Sequence, residues 1–146
     1  MAVRIKIINT SSHSLPHYAT TGSSGMDLHA VLDEPLHFAP LQRELVPTGL
    51  YVEIPEGYEI QVRPRSGLAI KQGITCLNTP GTIDCDYRGE IKIVLVNLSA
   101  ENQVIHPGDR IAQLVLQKVE KIEWQEVNEI TPTGRGEGGF GSTGKN

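Results

Sequence analysis

Apolar and polar residues alternate along most of this chain, and turn signals interrupt the alternation roughly every eight to twelve residues. Residues 3–7 and 58–63 alternate strictly, as strands with one buried face do. Residues 91–98 are almost continuously apolar and β-branched, which favours a strand buried on both faces. Because no window shows apolar residues at helical spacing, the only helix predicted is a short one over 66–72. Further strand candidates are residues 51–54 and 111–119.

Proline and glycine supply the turn signals between these segments. Residues 55–57, 80–81 and 107–109 each combine a proline with a following glycine. A chain of 146 residues suits one domain with a sizeable core. Short strands separated by regular turns predict an all-β sandwich or barrel, followed by a tail that tends to disorder.

Composition excludes several classes of function. The net charge of −4 argues against a nucleic-acid polymer as partner, because surfaces that bind polyanions usually carry a basic excess. The first ten residues contain no apolar leader, and no apolar run approaches the length of a membrane span, so no membrane partner is expected. Cys76 and Cys85 form no CxxC pair, which favours reduced thiols in a cytoplasmic protein. The histidines are scattered, which argues against a zinc site.

Residues 134–144, GRGEGGFGSTG, form a glycine-rich tail that holds six glycines. Such a run is unsuited to a helix or a core strand, because glycine loses the most backbone entropy on ordering and buries no side chain. Its main-chain N–H groups, hydroxyls and Arg135 suit a phosphate, and Phe140 could cover a base or sugar. We expect a tail that orders over a phosphorylated ligand; a flexible linker is the alternative.

Arg65-Ser66-Gly67 opens the predicted helical turn. The free N–H groups at the start of a helix attract anions, and the guanidinium and hydroxyl add donors. A phosphate-binding turn is therefore predicted, with a plain surface loop as the alternative.

Residues 78–90, NTPGTIDCDYRGE, carry the densest group of polar side chains. The turn at 80–81 predicts a hairpin that brings Asn78 close to Thr82 and Ile83. Main-chain donors and acceptors on such a hairpin have fixed polarity, so they suit recognition of the hydrogen-bonding edge of a base.

Two carboxylates follow the predicted hairpin. Asp84 and Asp86 lie two residues apart, and on extended backbone they would point the same way. One could act as a general base, or the pair could hold a metal; a turn with solvated carboxylates is the alternative. The neighbouring negative charges would raise the pKa of Cys85, which argues against a cysteine nucleophile.

Two further polar residues stand out less clearly. Gln113 lies out of step among apolar residues of a strand candidate, so its amide needs a polar partner. Asp27 follows a Gly-Ser-Ser-Gly run and on its own predicts a turn aspartate.

Taken together, these clusters resemble the homotrimeric all-β family of deoxyuridine triphosphate nucleotidohydrolases (dUTPases). Five segments occur in the order that the family has them, and they punctuate nearly the whole chain. The segments are 22–30 (GSSGMDLHA), 63–69 (RPRSGLA), 78–90, 108–115 (GDRIAQLV) and 134–144.

The resemblance implies a distorted jelly-roll or β-clip barrel over residues 1–130 and a flexible glycine-rich lid arm over 131–146. It implies cleavage of dUTP to dUMP and pyrophosphate by water attack on the α-phosphorus. That reaction would supply the precursor of dTMP and limit uracil incorporation into DNA. Mg²⁺ would be held mainly by the substrate triphosphate, and Asp27 would lie near the water shell of the ion. A homotrimer is also implied, with the arm reaching a neighbouring subunit's site.

The resemblance also implies a role for each matching residue. Asp84 would deprotonate the attacking water, and the ring of Tyr87 would pack under the deoxyribose and exclude a 2′-hydroxyl. Residues that would bind the uracil base or lie beside it are Asn78, Gly81, Thr82, Ile83, Lys92 and Phe140. Residues that would contact the phosphates are Arg65, Ser66, Gly67, Gln113, Arg135, Gly141, Ser142 and Thr143.

Two other functions remain open from the sequence. A dCTP deaminase-like relative would share the fold and use a different acid–base group. A catalytically silent trimeric sensor would bind dUTP without cleaving it, although it would not need the carboxylate of Asp84.

Overall fold

The structure, a computed structural model, describes residues 2–144 and within them forms eleven β-strands and one α-helix. In chain order the elements are β1 Lys6–Asn9, β2 Met26–His29, β3 Leu36–Phe38, β4 Arg43–Pro47, β5 Leu50–Glu53, β6 Tyr58–Arg63, α1 Ser66–Gln72, β7 Ile74–Cys76, β8 Gly81–Ile83, β9 Lys92–Asn97, β10 Gln103–Ile105 and β11 Arg110–Lys118.

The strands form four small antiparallel sheets. The largest has the order β2-β11-β6-β8, a second has the order β4-β9-β7, and the pairs β1-β5 and β10-β3 complete the set. Most neighbours in a sheet are distant in sequence, so the long connections fold the sheets around one core in a jelly-roll-like arrangement. Within residues 2–144, no helix has the length and apolar character needed to cross a membrane.

An aliphatic core lies between the sheets. Its fully buried side chains include Leu28, Phe38, Val46, Ile74 and Leu95. They come from five different strands, so burial of these residues ties the separate sheets together. Apolar burial of this kind contributes about 1.5–3 kcal/mol for each large side chain.

Most of the predicted elements are present, although the strand expected from the alternation over 3–7 begins only at Lys6 and continues to Asn9. The alternation over 58–63 becomes β6, and the nearly continuous apolar run becomes β9, of which only Lys92 is exposed. The helix spans Ser66–Gln72 as predicted and ends at Gly73, whose φ of 66° is left-handed. A Cβ on Gly73 would also lie 2.9 Å from Cβ of Ser99, so glycine is required there for both conformation and space.

The predicted hairpin at residues 80–81 is wrong in one respect. The chain turns there, and the peptide bond between Thr79 and Pro80 is cis. The two arms do not pair with each other, because β7 pairs with β9 and β8 pairs with β6. Long-range pairing prevails because it buries Ile74, Cys76 and Ile83 in the core from two different sheets.

Burial of Cys76 predicts a fall in stability at alkaline pH. Burial raises the pKa of this thiol from its ordinary value of 9.0 to about 11, because the thiolate is poorly solvated in the core. Between these values the unfolded chain has lost a proton that the folded chain keeps, so stability falls as pH rises. Across this pH window, we expect the free energy of unfolding of the wild type to fall by up to about 3 kcal/mol more than that of Cys76→Ala. Urea denaturation of both proteins near pH 8.5 and near pH 11 measures the difference, and equal losses would contradict the assignment.

Candidate functional site

Asp27 is the centre of a polar cluster that joins two strands, β2 and β11, to the N-cap residue of the helix. Its carboxylate is 24% exposed and accepts hydrogen bonds on both oxygens. Arg65 Nε lies 3.1 Å from Oδ1, Gln113 Nε2 lies 3.2 Å from Oδ1, and Arg110 Nη1 lies 3.2 Å from Oδ2. The partners are 38 to 86 residues away in sequence, so only the fold brings them together.

The cluster corrects one prediction and confirms another. Asp27 is not a turn residue; it lies within β2, directly opposite Gln113 on β11. The expected polar partner of Gln113 is therefore this carboxylate. Sequence reasoning also missed Arg110, whose side chain neutralises Asp27 from the other side. A salt-bridged carboxylate orients both guanidiniums and leaves their remaining N–H groups available to an anion.

A polar cleft of about 640 Å³ opens beside this cluster. Asp27, Arg63, Arg110 and Gln113 lie on its wall, together with residues of the 15–25 loop. Two guanidiniums and an amide facing one open cleft form a suitable site for a phosphate chain.

The first turn of α1 lies next to Arg65. Arg65 itself is the N-cap residue, with extended backbone and no side-chain cap, and its Nη1 donates to the carbonyl of Arg110 at 3.2 Å. Ser66 and Gly67 follow it and are exposed. The hydrogen bonds of Arg65 therefore hold this turn in place, while Ser66 and Gly67 are exposed to solvent.

A small pocket of about 70 Å³ contains all five residues predicted around the base-reading turn. They are Asn78, Gly81, Thr82, Ile83 and Lys92. Strand β8 supplies three of them and forms the edge of its sheet, so one side of its main chain is free to pair with a ligand. A Cβ on Gly81 would lie 3.3 Å from Nδ2 of Asn78 and 3.2 Å from Cβ of Val62, so glycine keeps this pocket open.

The loop after β8 carries Asp84 and Tyr87. The prediction of extended backbone is wrong here, because the N–H of Tyr87 donates to the carbonyl of Asp84 at 3.1 Å and closes a turn. Both Asp84 and Asp86 are exposed. Asp84 lies on the wall of a cleft of about 530 Å³ that also includes Tyr58 and Arg88.

Glu90 anchors this loop and was not singled out from the sequence. Its Oε1 accepts the N–H of Gly49 at 2.9 Å, and its Oε2 lies 3.8 Å from Nζ of Lys92. The position of Gly49, between β4 and β5, follows only from strand pairing. No local sequence signal could have revealed this contact.

The hydrogen bonds of residues 131–144, the described part of the predicted arm, lie within the segment itself. Its described residues form successive turns, and Arg135 Nε donates to the carbonyl of Gly138 at 2.6 Å. Phe140 is fully exposed, and Gly141, Ser142 and Thr143 are also exposed. Within residues 2–144, no hydrogen bond or ion pair joins the 131–144 segment to the β-domain. The last two residues of the predicted arm, 145–146, lie outside the described residues.

Metal ligands are sparse in the described part of the chain. Residues 2–144 contain no group of three or more His, Cys, Asp or Glu side chains that could hold a metal ion. The cysteines are free thiols, with Cys76 buried and Cys85 partly exposed.

Comparison with known proteins identifies the family. A model of the dUTPase family matches residues 11–144. The chain belongs to the dUTPase family. It is 59% identical to the deoxyuridine 5′-triphosphate nucleotidohydrolase of Finegoldia magna, over 97% of this chain and 99% of that protein. It is 60% identical to the deoxyuridine 5′-triphosphate nucleotidohydrolase of Fusobacterium nucleatum, over 98% of both chains.

Solved dUTPase structures support the fold. A point mutant of the Staphylococcus bacteriophage 80alpha dUTPase with dUpNHpp superposes with a TM-score of 0.86, covering 98% of this chain and 99% of that one. At 24% identity this likeness shows the fold alone. It confirms the predicted all-β, jelly-roll-like architecture.

Proposed function

We propose that this chain hydrolyses dUTP to dUMP and pyrophosphate by water attack on the α-phosphorus. Such a reaction would supply the precursor of dTMP and limit uracil incorporation into DNA. The observation that carries the proposal is the gathering of five predicted residues around one small pocket, beside the Asp84 loop. The dUTPase relatives at 59% and 60% identity support the same reaction.

The 70 Å³ pocket is the proposed uracil site. The free edge of β8 presents alternating N–H and C=O groups that can pair with the edge of the base, and Asn78 adds an amide. A site that hydrogen-bonds one base edge can reject a mismatched edge by about 10⁴–10⁵-fold, because its buried polar groups would lose their partners.

The Asp27 cluster is the proposed phosphate site. Arg65 and Gln113, which Asp27 orients, would contact the triphosphate together with the exposed Ser66 and Gly67 at the start of α1. Donors held in place before the substrate binds need not reorganise during the reaction, which is how such groups stabilise developing charge.

Asp84 is the proposed general base. Its exposed carboxylate can accept a proton from a water molecule, and such a base contributes roughly 10²–10⁴-fold. The ring of Tyr87, in the same loop, would pack under the deoxyribose and leave no room for a 2′-hydroxyl.

Mg²⁺ would arrive with the substrate. The family resemblance implies that Asp27 lies near the water shell of the ion; both of its oxygens already accept hydrogen bonds from the protein. The ion would neutralise charge on the triphosphate and on the departing pyrophosphate.

The segment between β11 and the arm supports assembly into a homotrimer. Four large apolar side chains in this segment are exposed in the single chain: Ile122, Trp124, Val127 and Ile130. Trp124 is 86% exposed. Exposed apolar side chains at this density usually pack against another molecule. We propose that this segment packs on a neighbouring copy, and that 131–146 forms a flexible lid arm over that copy's site.

In that assembly the arm would complete the site. Phe140 would stack on the uracil, while Arg135, Gly141, Ser142 and Thr143 would contact the phosphates. Closure would exclude bulk water and strengthen each charged contact beneath the arm.

The test is release of pyrophosphate from dUTP and Mg²⁺ by the purified protein. We expect equimolar dUMP and pyrophosphate, with little product from dCTP or dTTP. Binding of dUTP without cleavage would instead indicate a silent sensor. Release of ammonia from dCTP would indicate a deaminase, and either result would overturn the proposal.

A further inference from the structure

The ring of Tyr87 lies directly over the α-carbon of Gly89. A Cβ built on Gly89 would lie 2.5 Å from Cζ and 2.9 Å from Cε2 of Tyr87, and would also overlap the phenolic oxygen. Gly89 is not among the glycines with positive φ, so its backbone would accept other residues. The missing Cβ of Gly89 therefore leaves the space that the outer end of the Tyr87 ring occupies.

Local hydrogen bonds hold the ring in this place. The Tyr87 hydroxyl donates to the carbonyl of Glu90 at 2.9 Å, and the Tyr87 N–H donates to the carbonyl of Asp84 at 3.1 Å. Glu90 is itself fixed to the β4–β5 turn through the N–H of Gly49. Tyr87 is 46% exposed, so part of its side chain remains accessible while its hydroxyl is anchored to the Glu90 carbonyl.

We propose that Gly89 is a positioning residue that sets sugar selectivity through Tyr87. The inference rests on the proposed function, in which the Tyr87 ring excludes a 2′-hydroxyl. A pocket that rejects one added hydroxyl by shape alone discriminates only modestly, by roughly 10²-fold. That discrimination depends on the ring staying within a fraction of an ångström of its position, which the missing Cβ and the Glu90 carbonyl ensure.

Gly89→Ala tests the proposal with little risk to folding. The atoms that the new methyl group would meet form the outer end of a half-exposed side chain, so the ring moves and the core is untouched. We expect the ratio of kcat/KM for dUTP over UTP to fall by roughly 10- to 100-fold. The thermal unfolding midpoint should change little. An unchanged ratio, or an equal loss for both nucleotides, would overturn the proposal.

Two variants of Tyr87 provide the controls. In a Tyr87→Ala background, Gly89→Ala should cause no further change in the ratio, because two residues that act through one contact are not additive. Tyr87→Phe keeps the ring and removes the hydrogen bond to Glu90, so it should lower the ratio less than Gly89→Ala does. An additional loss from Gly89→Ala in the Tyr87→Ala background would show that Gly89 acts elsewhere.

Binding measurements distinguish a wrong role for Gly89 from a wrong proposed reaction. Calorimetric titration with dUDP and with UDP gives the same sugar preference without hydrolysis. If wild type fails to cleave dUTP and Gly89→Ala still lowers the preference for dUDP, the inference stands and the reaction is wrong. If the preference is unchanged, the inference fails whatever the hydrolysis result.

Discussion

Asp84→Asn should bind dUTP as wild type does while its turnover falls by roughly 10²–10⁴-fold. The amide has the size and hydrogen-bonding reach of the carboxylate but cannot accept a proton from water. Asp84 is exposed and forms no ion pair in the described structure, so its loss leaves no buried partner unsatisfied. Single-turnover cleavage of dUTP and equilibrium binding of a non-hydrolysable analogue measure the two quantities separately.

Asp86→Asn is the matched control. Asp86 is an exposed carboxylate in the same turn, two residues away, so the change in charge and in local field is nearly the same. We expect this variant to keep most of its turnover. If Asp86→Asn were the inactive protein and Asp84→Asn the active one, the general base would have to be reassigned.

Ending the chain after Thr133 should reduce kcat by roughly 10²-fold or more while the β-domain stays folded. The described part of the arm forms hydrogen bonds only within itself, so its removal breaks none of the described hydrogen bonds of the β-domain. The loss should include the stacking of Phe140, which is on the order of 1–3 kcal/mol. Steady-state kinetics and thermal unfolding of the truncated protein provide the measurement. Full activity would refute the lid role.

Mixed oligomers test whether the arm acts on a neighbouring copy. Asp84→Asn chains have an intact arm and no base, whereas chains ended after Thr133 have the base and no arm. Each protein alone should be nearly inactive, and the two refolded together should recover part of the wild-type turnover. A mixture as inactive as its components would show that the arm serves its own subunit.

The site residues differed in how far local sequence could reveal them. Gln113 stood out because a polar side chain in an apolar strand needs a partner, and the structure supplies one. Asp27 stood out only weakly, as a turn aspartate, because nothing near it in the chain indicates that Arg65 and Arg110 converge on it. Gly89 gave no signal either, since its importance lies in the atoms above it rather than in its backbone.

The pattern of side chains by itself determined several of the strands and the one helix of this protein. Alternation specified β6, β-branched apolar residues specified β9, and the Ser66–Gln72 helix was bounded correctly, because these features depend on residues within a few positions. Only the tertiary structure decided that β7 and β8 join different sheets and that one carboxylate orients two guanidiniums and an amide. Those choices depend on which distant strands bury the most apolar surface together, and that is a property of the whole fold.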